Sequence, residues 1–398
     1  MTLIVKIRDI STQIRGVSYS KSDAISNMQD GYLPVLRANN IQEQGLFLDD
    51  FVYVPESKIS EKQRILAGDV IIAASSGSIS LVGKAASAKE DIKAGFGAFC
   101  KILRPNTKLV DPRYFANYFQ TQKYRQIISN LAAGANINNL KNEHLDDLEI
   151  LLPPLSEQHR IAAILDKADE LRQKRQQAIE KLDHFLQAEF ISKFHQKNYP
   201  EFNVSDLLEN EKSMRTGPFG SQLLHSEFVD EGIHVLGIDN AVQNSFNWAK
   251  PRFITEEKYK DLKRYTVKPK DVIITIMGTC GKCAVVPEDI PTAINTKHLC
   301  CITLDQNKCN PEFLHSYFLI HPTARNYLAS RAKGAIMSGL NMGIIKELPV
   351  ELPPIEKQNE FSTLKQKVIL QKELMVKELS KINNLFASLQ NQAFSGTL

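Results

Sequence analysis

Leu152-Pro153-Pro154-Leu155-Ser156-Glu157-Gln158 returns 200 residues later as Leu352-Pro353-Pro354-Ile355-Glu356-Lys357-Gln358. Paired prolines stop a preceding strand and cannot lie inside a helix, so each copy marks a boundary. Behind each runs a polar stretch of about 40 residues with apolar residues at helical spacing, a rod on the order of 60 Å long. Ahead of each lies roughly 150 residues of strand-like, turn-rich sequence. The repeat thus predicts globule, helix, globule, helix, with boundaries at residues 1–152, 153–198, 199–352 and 353–398.

In the first helical stretch Ile161, Ile164, Ala168, Leu171, Arg175, Ala178, Leu182 and Phe185 follow three- and four-residue steps. In the second, Phe361, Leu364, Val368, Gln371, Met375, Glu378, Ile382 and Leu385 hold the same register. A narrow apolar stripe over several heptads suits a partner helix better than a broad core. The expectation is two long helices paired as an antiparallel coiled coil, with a globule at each end and a pseudo-twofold internal repeat.

The globules repeat more faintly. Gly68-Asp69-Val70-Ile71-Ile72 matches Lys270-Asp271-Val272-Ile273-Ile274, and Leu36 to Asn40 aligns with Leu236 to Asn240. Asp111-Pro112 and Asn310-Pro311 each read as a cap and first turn of a helix. The first such helix is expected to run from Pro112 to about Asn130. Short β-prone runs with a packed helix give two similar α+β globules.

The sequence has 398 residues, 43% hydrophobic and 24% charged, with a formal net charge of +4. That length exceeds one ordinary core. The charge permits a nucleic-acid partner without arguing for one. No run of about 18 apolar residues occurs, so no membrane span is expected. The opening Met1-Thr2-Leu3-Ile4-Val5-Lys6 does not read as a signal peptide, which makes a cytoplasmic location the expectation. Cys280-Gly281-Lys282-Cys283 is a C-x-x-C, but its only nearby pair, Cys300-Cys301, would point opposite ways in a strand. Buried thiols are expected rather than a metal site.

Catalytic motifs are not found. Gly77 to Lys84 misses the phosphate-loop spacing by one residue, and Ala85 replaces the Mg²⁺-binding hydroxyl. The leucine before each Pro-Pro leaves no amide to hold a base, unlike the catalytic loop of adenine methyltransferases. Glu56-Ser57-Lys58 resembles a nuclease triplet without its acidic partner, and the nine histidines form no H-E-x-x-H. A non-catalytic chain without a cofactor is expected.

Binding chemistry is present in matching loops. The first globule offers Ser76, Ser78, Lys84, Asn136, Asn138, Asn139 and Lys141, with Arg15. The second offers Thr279, Lys282, Arg331, Lys333, Ser338 and Asn341, with Arg215. Asn, Ser and Thr pair with base edges, Arg reads guanine, and Lys neutralises phosphate. Such clusters also fill ordinary turns, but here they recur at matching positions.

Leu152 to Asp166 resembles the central conserved region of Type I restriction–modification specificity subunits, and Gln392 to Leu398 is similar to that family's terminus. The resemblance covers essentially the whole chain. It implies two target recognition domains, each reading half of a bipartite double-stranded DNA target. It also implies helices that set the spacing and dock two methyltransferase (modification) subunits, with restriction/translocase subunits joining for cleavage. The second copy departs from the pattern at Ile355 to Glu360 and lacks the Ile-Ala-Ala-Ile-Leu-Asp run, which bears on whether the two docking surfaces are equal. Two other readings remain beside it: a two-headed protein-binding adaptor, distinguished by lack of sequence-selective DNA binding, and a fused nuclease–methyltransferase, distinguished by activity of the isolated chain.

Overall fold

The structure, a computed structural model, describes residues 3–42, 45–78, 81–133, 139–332 and 339–398. The chain divides into two compact units, residues 1–178 with 375–398 and residues 179–374. Each unit holds one globule and part of both long helices.

The first unit is built on an antiparallel sheet in the order Ser11–Arg15, Cys100–Pro105, Val70–Ala73, Ala85–Ser87. A smaller sheet runs Val52–Pro55, Tyr32–Leu36, Gly95–Phe96, its last pair parallel. Leu3–Lys6 pairs with Glu149–Leu152, which ties down the strand that Pro153 ends. The second unit repeats this plan. Its larger sheet runs Met214–Thr216, Leu299–Ile302, Val272–Thr275, Cys283–Val285. Its smaller one runs Phe253–Ile254, Ile233–Leu236, Ala293–Asn295, and Glu201–Asn203 pairs with Pro349–Glu351.

Continuous apolar strands signify a sheet covered on both faces. Val70 and Ile72 pack with the helices, while Ile71 and Ala73 pack toward the smaller sheet. In the second unit Cys300 and Cys301 divide the same way between two clusters. Cys283, Cys300, Cys301 and Cys309 are buried free thiols, and burial raises the thiol pKa of each. Where the two sheets cross, the backbones nearly touch. A Cβ on Gly16 would lie 2.1 Å from the Gly97 carbonyl oxygen, and one on Gly217 would lie 1.9 Å from that of Asn295.

The helix expected from Pro112 to about Asn130 is two helices, Pro112–Tyr118 and Gln122–Ala133. Thr121 makes the break: its hydroxyl donates to the Tyr118 carbonyl at 2.7 Å and accepts the Tyr124 amide at 3.2 Å. In the second unit Pro322 opens a new helix, Pro322–Ala332, after Pro311–Ile320.

The long helices are Leu155–Phe194 and Ile355–Ser395, of 40 and 41 residues. In the first unit Arg160 reaches Leu398, Arg172 stacks on Phe386, and Arg175 pairs with Glu378. In the second, Asp183 meets Lys372 and Phe190 packs on Phe361. Rising numbers on one helix meet falling numbers on the other, so the pairing is antiparallel. Its phase differs from the expected one at alternate positions. Ile161, Ala168, Arg175, Leu182 and Phe361, Val368, Met375, Ile382 lie inward, but Leu171, Phe185 and Leu385 are 53%, 43% and 59% exposed. Arg172, Leu186 and Phe386, one position later, take their places. Adjacent apolar pairs such as Phe185-Leu186 and Leu385-Phe386 fit either phase in the sequence. The helix ends also enter globular cores: Phe190 and Phe194 pack with Phe313, and Ala393 and Phe394 with Tyr114 and Tyr118.

The repeated motif has one structural job in both units. Gln158 accepts the Asp111 amide at 2.8 Å and donates to the carbonyls of Pro153 (2.7 Å) and Leu109 (3.3 Å). Gln358 accepts the Asn310 amide at 2.8 Å and donates to Pro353 (2.8 Å) and Lys308 (3.1 Å). Each buried amide locks the Pro-Pro turn to the loop that caps the earlier helix, Pro112–Tyr118 or Pro311–Ile320.

Candidate nucleic-acid interface

At one end of the larger sheet in the first unit, separate stretches of chain converge. Lys101 stands opposite Arg15, and Cys100 opposite Ala73. The amides of Ala74 and Ser75 donate to the Phe99 carbonyl at 2.8 and 3.0 Å, and Leu140 donates to Ala74 at 2.7 Å. Ser75 bridges Asn139. The Lys101 ammonium donates to the Asn142 side chain at 2.7 Å. Arg15, Ser76, Asn139 and Lys141, far apart in sequence, therefore share one end of the sheet. Ser76 Oγ accepts the Ser78 amide at 3.2 Å, which shapes the loop. Lys141 lies 3.5 Å from Glu143 in an exposed pair, an interaction worth little in water. Lys84 returns beside Ala73, and its side chain lines a cleft of about 1270 Å³ with Lys89, Arg113 and Gln120.

The second unit assembles the same end. Ile276 donates to the His298 carbonyl at 2.9 Å, Leu340 to Ile276 at 2.9 Å, and Thr275 to Lys282 at 2.8 Å. Thr279 is exposed and Lys282 half-buried. Asn341 is also here, but its side-chain oxygen caps Met342–Lys346 through the Ile344 amide at 2.9 Å. Arg331 ends the Pro322–Ala332 helix with its guanidinium over the Tyr327 ring. Asn136, Asn138, Lys333 and Ser338 lie outside the described residues.

Arg215 is spent inside the fold. Its guanidinium donates to the fully buried Asp271 carboxylate at 2.6 Å and to Thr303 Oγ1 at 2.9 Å and the Thr266 carbonyl at 2.6 Å. A buried carboxylate needs a hydrogen-bonded cation, and Arg215 supplies it. This residue, expected to contact DNA, is half-buried and holds Asp271 within the fold.

Two surface residues escaped the sequence reading. Phe99 is 69% exposed at the tip, and His298 occupies the matching place. An exposed Phe within an apolar run carries no signature. Burial, then Lys297 and Arg252, hold the His298 pKa below its usual value.

A family model described as Type I restriction modification DNA specificity domain matches residues 3–181 and 198–384, once for each repeat. The chain is 31% identical to the Type I restriction enzyme EcoKI specificity subunit of Escherichia coli K12, over 100% of this chain and 89% of that one. The chain belongs to the Type I restriction–modification specificity subunits. It is also 31% identical to the StySPI specificity subunit of Salmonella potsdam, over 98% of this chain and 88% of that one. Two solved structures share the fold. One, described as the structural basis of complex assembly and conformational transition of the type I R-M system, has a TM-score of 0.61 at 14% identity, covering 100% of this chain and 98% of that one. The other, a Type I S subunit from M. genitalium, has a TM-score of 0.56 at 16% identity, covering 99% and 96%. Specificity subunits are the non-catalytic DNA-recognition members of these systems. No described helix of this one is long and apolar enough to cross a membrane.

Proposed function

We propose that each globule of this specificity subunit reads one half of a bipartite double-stranded DNA target. The recognition domains are residues 1–152 and 199–352, and the helical regions 153–198 and 353–398 set the unread gap. The observation that carries this is the matching sheet end, built from equivalent stretches in both units but furnished with different side chains: Phe99 against His298, Asn139 against Gly339. One scaffold with two unlike surfaces suits two different half-sites.

The long helices also dock two modification subunits, with restriction/translocase subunits joining for cleavage, in the cytoplasm. Support comes from Leu171, Phe185, Leu370, Leu374 and Leu385, which leave apolar surface on helices already paired with each other. Mapping methylated sites in a host that expresses the chain with its modification subunits tests the reading. A two-part motif with a fixed gap is expected, and one or two helical turns inserted into both helices should lengthen only the gap. A continuous motif, or a gap indifferent to the insertion, contradicts it.

A further inference from the structure

Arg37 and Gly237 hold the same place in the two globules. The Arg37 amide donates to Asn40 Oδ1 at 2.8 Å, and the Gly237 amide to Asn240 Oδ1 at 2.9 Å. The preceding carbonyls, of Leu36 and Leu236, accept the Gly97 and Thr296 amides at the sheet crossing. In the first globule the Arg37 guanidinium donates to the Asp50 carboxylate at 3.1 Å, and Asn39 donates to the same oxygen at 2.8 Å. In the second, position 237 has no side chain, yet a guanidinium is there. Arg252 Nη2 lies 2.5 Å from where a Gly237 Cβ would be and donates to Asp239 Oδ1 at 2.5 Å.

An ordinary surface ion pair is weak. This one is rebuilt from different positions: the cation moves from 37 to 252, and the anion from 50 to 239. Both guanidinia remain about a third exposed. Among the described residues, no protein acceptor takes the Nη1 hydrogens of either, and Arg37 Nε is enclosed without a partner. In the second unit the pair lines a cleft of about 870 Å³ with Thr279, Thr296 and His298. That cleft joins it to the loop already assigned to DNA.

We propose that Arg37 and Arg252 each read a guanine edge in their own half-site, held in aim by Asp50 and Asp239. A guanine presents the acceptors O6 and N7 side by side in the major groove, where the Nη1 donors of an anchored guanidinium can meet them. The carboxylate on Nη2 fixes the plane of the guanidinium. Nη2 also donates to the Asp50 carbonyl at 2.8 Å in the first globule and to Asn240 Oδ1 at 3.5 Å in the second, so the two Nη1 hydrogens are left for the base. Lysine can also donate to guanine O6 and N7, but it lacks the planar group that the carboxylate holds in aim.

The inference rests on the DNA reading proposed above. The test is methylated-site mapping with the chain and its modification subunits, comparing wild type with Arg37→Lys, Arg37→Ala, Arg252→Lys and Arg252→Ala. Each Arg37 variant should lose preference for G·C at one position of one half-site, by about 5- to 150-fold. Each Arg252 variant should do so in the other half-site. The Lys variants should keep the wild-type unfolding midpoint. An intact wild-type motif unchanged by all four variants, or a uniform loss that Lys restores, overturns the inference alone. A wild type without a two-part motif removes the DNA reading and the inference with it.

Discussion

The side-chain amide of Gln158 donates to the Pro153 carbonyl at 2.7 Å while its oxygen accepts the Asp111 amide at 2.8 Å. The motif residue and its prolines thus form one buried joint, and Gln358 rebuilds it in the second unit. Substitution by leucine strands a buried donor and a buried acceptor. Each costs about 1–3 kcal/mol when left unpaired. Gln158→Leu and Gln358→Leu should each lower stability by about 2–5 kcal/mol, read as an earlier denaturant midpoint. An unmoved midpoint would show the joint to be incidental.

Asp69 and Asp271 are buried at equivalent places, but their cations come from different strands. Arg104 reaches Asp69 from the central strand, and Arg215 reaches Asp271 from the first strand. Removing one partner of a buried pair costs about 3–5 kcal/mol because a charge stays uncompensated. Arg215→Met should therefore destabilise strongly, and adding Asp271→Leu should recover much of the loss. Urea unfolding of the single and double variants measures this.

His315 is buried, with Nε2 within 3.0 Å of the Asn244 and Cys283 carbonyls and Nδ1 2.8 Å from the Lys365 ammonium. Two carbonyls require Nε2 to carry the proton, so Nδ1 accepts from lysine and the ring is neutral. Burial and the Lys365 charge lower its pKa below 6.5. The unfolded chain then binds the proton first. This group's stabilising contribution is present above pH 6.5 and lost as pH falls through the lowered folded value. The denaturation midpoint should drop on acidification, and His315→Gln should flatten that part of the profile.

Binding to DNA should weaken with salt if surface cations meet phosphates. Removing Lys141 or Lys282 should reduce the slope of log K against log salt by about 1 and leave the recognised sequence unchanged. A titration of the assembled modification complex over a range of salt concentrations gives the slope.

Much of the fold was written in the repeat. The prolines follow the strands Glu149–Leu152 and Pro349–Glu351 and precede the long helices, as read, and the stripe from Ile161 to Phe185 announced a helix partner. Its phase was not legible, because Phe185 and Leu186 are both apolar and only packing chooses between them. Thr121 could not be seen as a helix break, since the hydroxyl's two bonds depend on the fold. The site was legible as loops and not as individual residues. Nothing local in the sequence reveals that Asp271 lies buried beside Arg215 across the sheet. Arg37 and Arg252 were missed for a related reason: the second globule carries its guanidinium 15 residues away from the matching position, opposite a glycine.

The central claim is that each globule reads its own half-site. The direct measurement is the methylated motif written by the wild type, by Ser76→Ala with Asn139→Ala, and by Thr279→Val. The account predicts that the first pair relaxes one half of the motif and the second variant the other, with the gap unchanged in both. Relaxation of both halves by either variant, or of neither half by both, would contradict it.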